Sequence, residues 1–125
     1  MPKADIEVEV KFVTNQAGHQ EPRPDLPNPM KRNKTVHYFT SDPSATVRID
    51  FVPNPSQPSG SPLSPFVDTN GNVITSITNS DPPMKLQKDG EFSCRCFVTQ
   101  NGKTFGWSEE TPGAGGNHVV KGPNP

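Results

Sequence analysis

Sixteen of the 125 residues are proline, and they are spread along the whole chain. Proline inside a helix removes a backbone bond and clashes with the preceding turn. Nowhere do twelve consecutive residues show clean helical periodicity. The chain must therefore build its core from short extended segments joined by irregular connections. The aliphatic residues agree: eleven Val and four Ile stand against three Leu and four Ala, a β-favouring set.

Alternation with period two locates the strands. Ile6, Val8, Val10 and Phe12 alternate with Glu7, Glu9 and Lys11. Residues 34–40 place Val36, Tyr38 and Thr40 on one face, with Thr35, His37 and Phe39 on the other. Val47, Ile49 and Phe51 alternate with Arg48 and Asp50. Phe92, Cys94, Cys96 and Val98 line one face of a strand over 91–99. Asn101-Gly102 then marks a two-residue hairpin turn, which pairs Gln100 with Lys103, Val98 with Phe105 and Cys96 with Trp107. In that register Phe105 and Trp107 fall on the core face. Asn70-Gly71 predicts a second short hairpin between 66–67 and 73–74, and Asp89-Gly90 a turn before 91. After a glycine loop at 113–116, residues 118–121 supply a last strand.

The connections are polar and proline-rich. Residues 14–33 hold four prolines and read as a long loop, and 53–65 holds five prolines and four serines and reads as a surface loop. Residues 122–125 read as a frayed tail. The expectation is one all-β domain over 1–125: a two-sheet Greek-key β-sandwich of seven or eight strands with long Pro-rich loops.

Composition narrows function by exclusion. Only 29% of residues are apolar, and about 37% with glycine, against roughly 45–50% in an average domain. No run of 18 apolar residues offers a membrane span, and no N-terminal secretion signal is evident, so a cytoplasmic location is expected. The formal net charge of −1 provides no general field for nucleic acid. No G-x-S-x-G elbow and no phosphate-cradling P-loop is present. Glu109-Glu110 reads as a solvated turn.

Three sets of side chains remain as candidates. Cys94 and Cys96 lie at i and i+2 on one strand face, where they do not bond each other easily. Either they are reduced core thiols or, with His37 and His118, they are ligands for copper or zinc. Phe97, Phe39 and Trp107 are aromatic candidates for a protein or glycan surface. Phe97 and Phe39 fall on outer faces, whereas the hairpin register places Trp107 toward the core.

The segment G-E-F-S-C-R-C-F-V at 90–98, followed by G-G-N-H-V-V at 115–120, resembles the C-terminal half of a cupredoxin-like sandwich, over about 34–121. The resemblance implies a copper site in which His37 stands for the first histidine and Cys94 or Cys96 for the cysteine. His118 follows Cys96 by 22 residues and no methionine follows either cysteine, so the likeness implies a metal-free relative. An immunoglobulin-like sandwich is the other resemblance, without its inter-sheet disulfide. The expected function is a non-catalytic binding or protein-interaction module with no cofactor. Metal binding and carbohydrate binding are the alternatives.

Overall fold

A computed structural model describes residues 3–122. Ten strands form: β1 Ile6–Thr14, β2 Gln20–Pro24, β3 Met30–Lys31, β4 Thr35–Phe39, β5 Thr46–Val52, β6 Ser76–Thr78, β7 Met84–Lys85, β8 Gly90–Gln100, β9 Lys103–Gly106 and β10 Gly115–Lys121. They divide into a four-stranded sheet, β2-β1-β4-β7, and a six-stranded sheet, β3-β10-β8-β5-β6, with β9 on β8. The fold is all-β with two packed sheets, as alternation requires. No helix among the described residues is long and apolar enough to cross a membrane.

The alternating residues become the core. Val8, Val10, Val36, Tyr38, Val47, Ile49, Phe51, Phe92, Cys96 and Val98 are all buried between the sheets. Phe66, Met30 and Leu86 belong to the same core. Burial of this apolar set is the main stabilising term.

Several expectations are corrected. The described residues form ten strands rather than seven or eight. The 14–33 segment is not one loop: it contains β2 and β3. Gly115 and Gly116 belong to β10 rather than to a loop. Residues 53–65 do form a loop, and Val67 bridges Val73 as the short hairpin requires. Of the tail assigned to 122–125, residues 123–125 lie outside the described residues.

β2 shows why proline misleads there. Glu9 C=O accepts from Asp25 N–H and His19 C=O accepts from Asn15 N–H. With the register Val10↔Pro24 and Phe12↔Pro22, alternation of bonded and non-bonded pairs turns Pro22 and Pro24 outward. Neither proline is asked for a ladder donor, so an edge strand tolerates both.

The Asn101-Gly102 hairpin forms in the expected register, with Gln100↔Lys103 and Val98↔Phe105. Asn101 and Gly102 have φ of 53° and 75°, the left-handed pair of a type I′ turn.

A polar pair bolts the sheets together through the core. Tyr38 on β4 and His118 on β10 are both fully buried, with Tyr38 Oη 2.8 Å from His118 Nε2. The His118 ring also packs on Phe51, with centroids 4.9 Å apart. Among the described residues His118 Nδ1 has no hydrogen-bond partner of good geometry. Burial therefore holds the imidazole neutral, with its pKa pushed down to about 4, and the Phe92 backbone only partly offsets this.

Candidate functional site

The outer face of the six-stranded sheet carries an ordered row of cations over rings. Arg48 on β5 lies directly opposite Phe97 on β8, and Asp50 opposite Arg95. The Arg48 guanidinium sits 4.3 Å from the Phe97 centroid, and the Arg95 guanidinium 3.6 Å from the Trp107 ring. Such contacts contribute about 0.5–1 kcal/mol each at exposed sites. Asp50 accepts from Arg48 Nε at 3.1 Å and from Ser76 Oγ at 2.8 Å, which fixes the base of the row.

Trp107 is therefore not a core residue, and its expected placement is corrected. The β9 ladder ends at Gly106. Beyond it Trp107 N–H still donates to Cys96 C=O at 3.3 Å, but the half-buried indole lies beneath Arg95. Phe105 does turn inward, where it meets Phe12 edge-on at 5.3 Å. Gly106 lies under the Phe97 ring so closely that a Cβ there would overlap it.

Beside this row runs an open groove of about 520 Å³, within the size range of binding sites. One wall is β9 and the residues after it: Lys103, Thr104, Phe105, Gly106 and Trp107. The other wall is the β1–β2 turn, Gly18–Gln20. His19 Nε2 lies 3.3 Å from Glu110 Oε2, and Asn15 Nδ2 donates to Glu110 C=O at 3.0 Å. These contacts tie the two walls together at one end.

A buried carboxylate holds that end in place. Glu21 is only 2% exposed. It accepts from Arg23, from Asn15 Nδ2 at 3.3 Å and from Gly113 N–H at 2.9 Å. The Arg23 guanidinium, then the Gly113 amide, hold its carboxyl below the ordinary range. Thr111 Oγ1 donates to Gly106 C=O and pairs with Ser108 Oγ. The 108–114 segment is thus an anchored wall.

The remaining candidates lie elsewhere. Phe39 is half-buried on the outer face of β4, in the other sheet. His37, on the same face, has Nδ1 2.8 Å from Glu7 Oε1 and Nε2 3.1 Å from Asn79 C=O. Both partners are acceptors, which favours the protonated ring, and its pKa is raised, chiefly by Glu7. A ring so occupied offers no free base. Cys94 and Cys96 are free thiols on the core face of β8. Desolvation pushes Cys94 up to about 12 and Cys96 higher still, so neither is a thiolate near neutral pH. His118 shares that core through Tyr38, whereas His37 lies outside it. Among the described residues no three His, Cys, Asp or Glu side chains gather around a common point.

Sequence reasoning found Phe97 and Trp107 but missed Arg48, Arg95, Lys103 and Glu21. Cross-strand register joins Arg48 to Phe97, and register is not readable from one segment alone. The alternate prolines that follow Glu21, at 22 and 24, were the available signal for an edge strand. The chain has no match among protein-family models, curated proteins or solved structures.

Proposed function

We propose that this chain is a non-catalytic binding module on a sandwich scaffold of the cupredoxin or immunoglobulin type. Its ligand lies in the groove between β9 and the β1–β2 turn. The observation that supports this most is the convergence of Phe97, Phe105, Trp107 and Lys103 on one open groove with a braced wall, with Arg95 stacked on the Trp107 ring. Rings and cations held on a rigid sheet can bind a partner with little ordering cost. Two other surface hollows lack this combination. One, lined by the proline-rich 53–63 segment, contains no aromatic residue. The other surrounds His37, whose ring nitrogens are already engaged.

The direct test screens immobilised protein against random linear-peptide and glycan libraries, followed by Trp107→Ala and Phe97→Ala. The reading expects ligands whose binding falls at least tenfold in both variants. Ligands that bind both variants at full strength would refute it.

A further inference from the structure

Resting on that groove reading, the backbone of β9 identifies the kind of ligand. Sheet edges expose unpaired N–H and C=O groups and are usually blocked. Among the described residues, three exposed strand stretches carry identifiable blocking devices. On β2, Pro22 and Pro24 face outward and offer no donor. On the stretch of β10 that β3 leaves unpaired, Asn28 donates its Nδ2 to Asn117 C=O at 2.7 Å and accepts Val119 N–H at 2.9 Å. On β6, Asp81 accepts Thr78 N–H at 2.8 Å and returns its own N–H to Thr78 C=O at 3.2 Å.

β9 has no such device. The type I′ turn makes Gln100↔Lys103 a bonded pair, and Trp107 N–H to Cys96 C=O is in phase with it. Alternation then makes Thr99↔Thr104 and Phe97↔Gly106 the non-bonded pairs. Thr104 N–H and C=O, and Gly106 N–H, point away from β8. No other described group bonds to them. Only Gly106 C=O is taken, by Thr111 Oγ1. This open edge forms a wall of the groove.

Charge is arranged along the same wall. Lys103, at the turn end, has no ion-pair partner among the described residues, and neither does Arg95 behind it. At the far end Glu110 is engaged by His19.

We propose that the groove takes an extended peptide segment of a partner protein, added as a strand to β9 through Thr104 and Gly106, with an acidic side chain against Lys103. Main-chain bonds would supply affinity, and alternate side chains would rest on Phe105 and along the Phe97 row.

The test starts from peptides selected from a random linear library. Each is measured for affinity with wild type, Thr104→Pro, Lys103→Glu and Trp107→Ala. Thr104→Pro deletes the outward N–H together with the exposed Thr104–Thr99 hydroxyl contact, so Thr104→Val serves as the control for the hydroxyl and the melting temperature checks the fold. Synthetic peptides N-methylated at one position at a time provide a readout that needs no protein variant. The proposal expects acidic peptides, a loss of at least tenfold with Thr104→Pro and Lys103→Glu, and N-methyl losses at every second residue.

Binding that survives Thr104→Pro and all N-methylations, yet falls with Trp107→Ala, overturns strand addition and leaves the groove reading standing. Binding indifferent to Trp107→Ala as well overturns both. A library that yields no peptide while a glycan binds at Trp107 also overturns strand addition. Concentration-dependent dimers abolished by Thr104→Pro would assign the edge to a second copy of the chain and overturn the proposal.

Discussion

Replacing His118 with leucine probes the polar bolt in the core through its dependence on pH. In wild type the folded imidazole titrates at about 4, against an ordinary value near 6.5. Between these values the unfolded chain holds a proton that the folded chain refuses. Stability is therefore fully present above about pH 6.5 and is lost as pH falls toward 4. The slope approaches one proton, about 1.4 kcal/mol per pH unit, and the total is about 3 kcal/mol. For 125 residues, about 1 kcal/mol corresponds to roughly 4 °C in melting temperature. His118→Leu removes the titrating group and strands the Tyr38 hydroxyl, which costs about 1–3 kcal/mol at neutral pH. Urea unfolding at pH 7.5, 6.0 and 5.0 reads both effects. The variant is expected to be weaker at pH 7.5 and to lose distinctly less stability on acidification. Tyr38→Phe/His118→Leu should recover part of the neutral-pH loss, because both partners are then apolar. Equal acid slopes in wild type and His118→Leu would refute the buried, neutral assignment.

Three further predictions follow from packing. Cys94 and Cys96 should ignore a thiol reagent at pH 7 until the protein unfolds, with copper or zinc making no difference. Native-state reactivity blocked by metal would reverse that reading. Gly106→Ala should displace the Phe97 ring and cost about 1–3 kcal/mol, seen as a lower melting temperature and altered Phe97 resonances. Glu21→Ala should release the 108–114 wall, so that protection of the Gly113 amide from hydrogen exchange drops sharply. Because the Glu21 carboxyl is held below its ordinary range, its contribution is present above that range and fades as pH falls through its folded value. Acid should therefore weaken Gly113 protection in wild type and have no such effect in the variant.

Much of the fold was legible because period-two alternation and hairpin chemistry are local. Residues 6–12, 47–51 and 92–98, together with Asn101-Gly102, carry their own instructions. What was hidden depends on partners distant in sequence. β2 looks like a loop until the Phe12↔Pro22 pairing shows that its prolines face outward. Trp107 sits on the core face by simple counting, but β9 stops at Gly106 and the indole finds Arg95 instead. His118 reads as one of three scattered histidines until the topology sets it against Tyr38, 80 residues away. The aromatic half of the site could be named from sequence. Its cations, its braced wall and its open edge could not, because each is a product of register.

The groove beside β9 stands or falls on where a ligand lands. The most direct measurement titrates a library-selected acidic peptide into isotope-labelled protein and follows the backbone amide resonances. Shifts are expected to concentrate at Phe97, Thr104 to Trp107 and His19, with the Thr104 and Gly106 amides newly protected from exchange. Shifts confined to residues 53–63, or to the surroundings of His37 and Asn79, would contradict it.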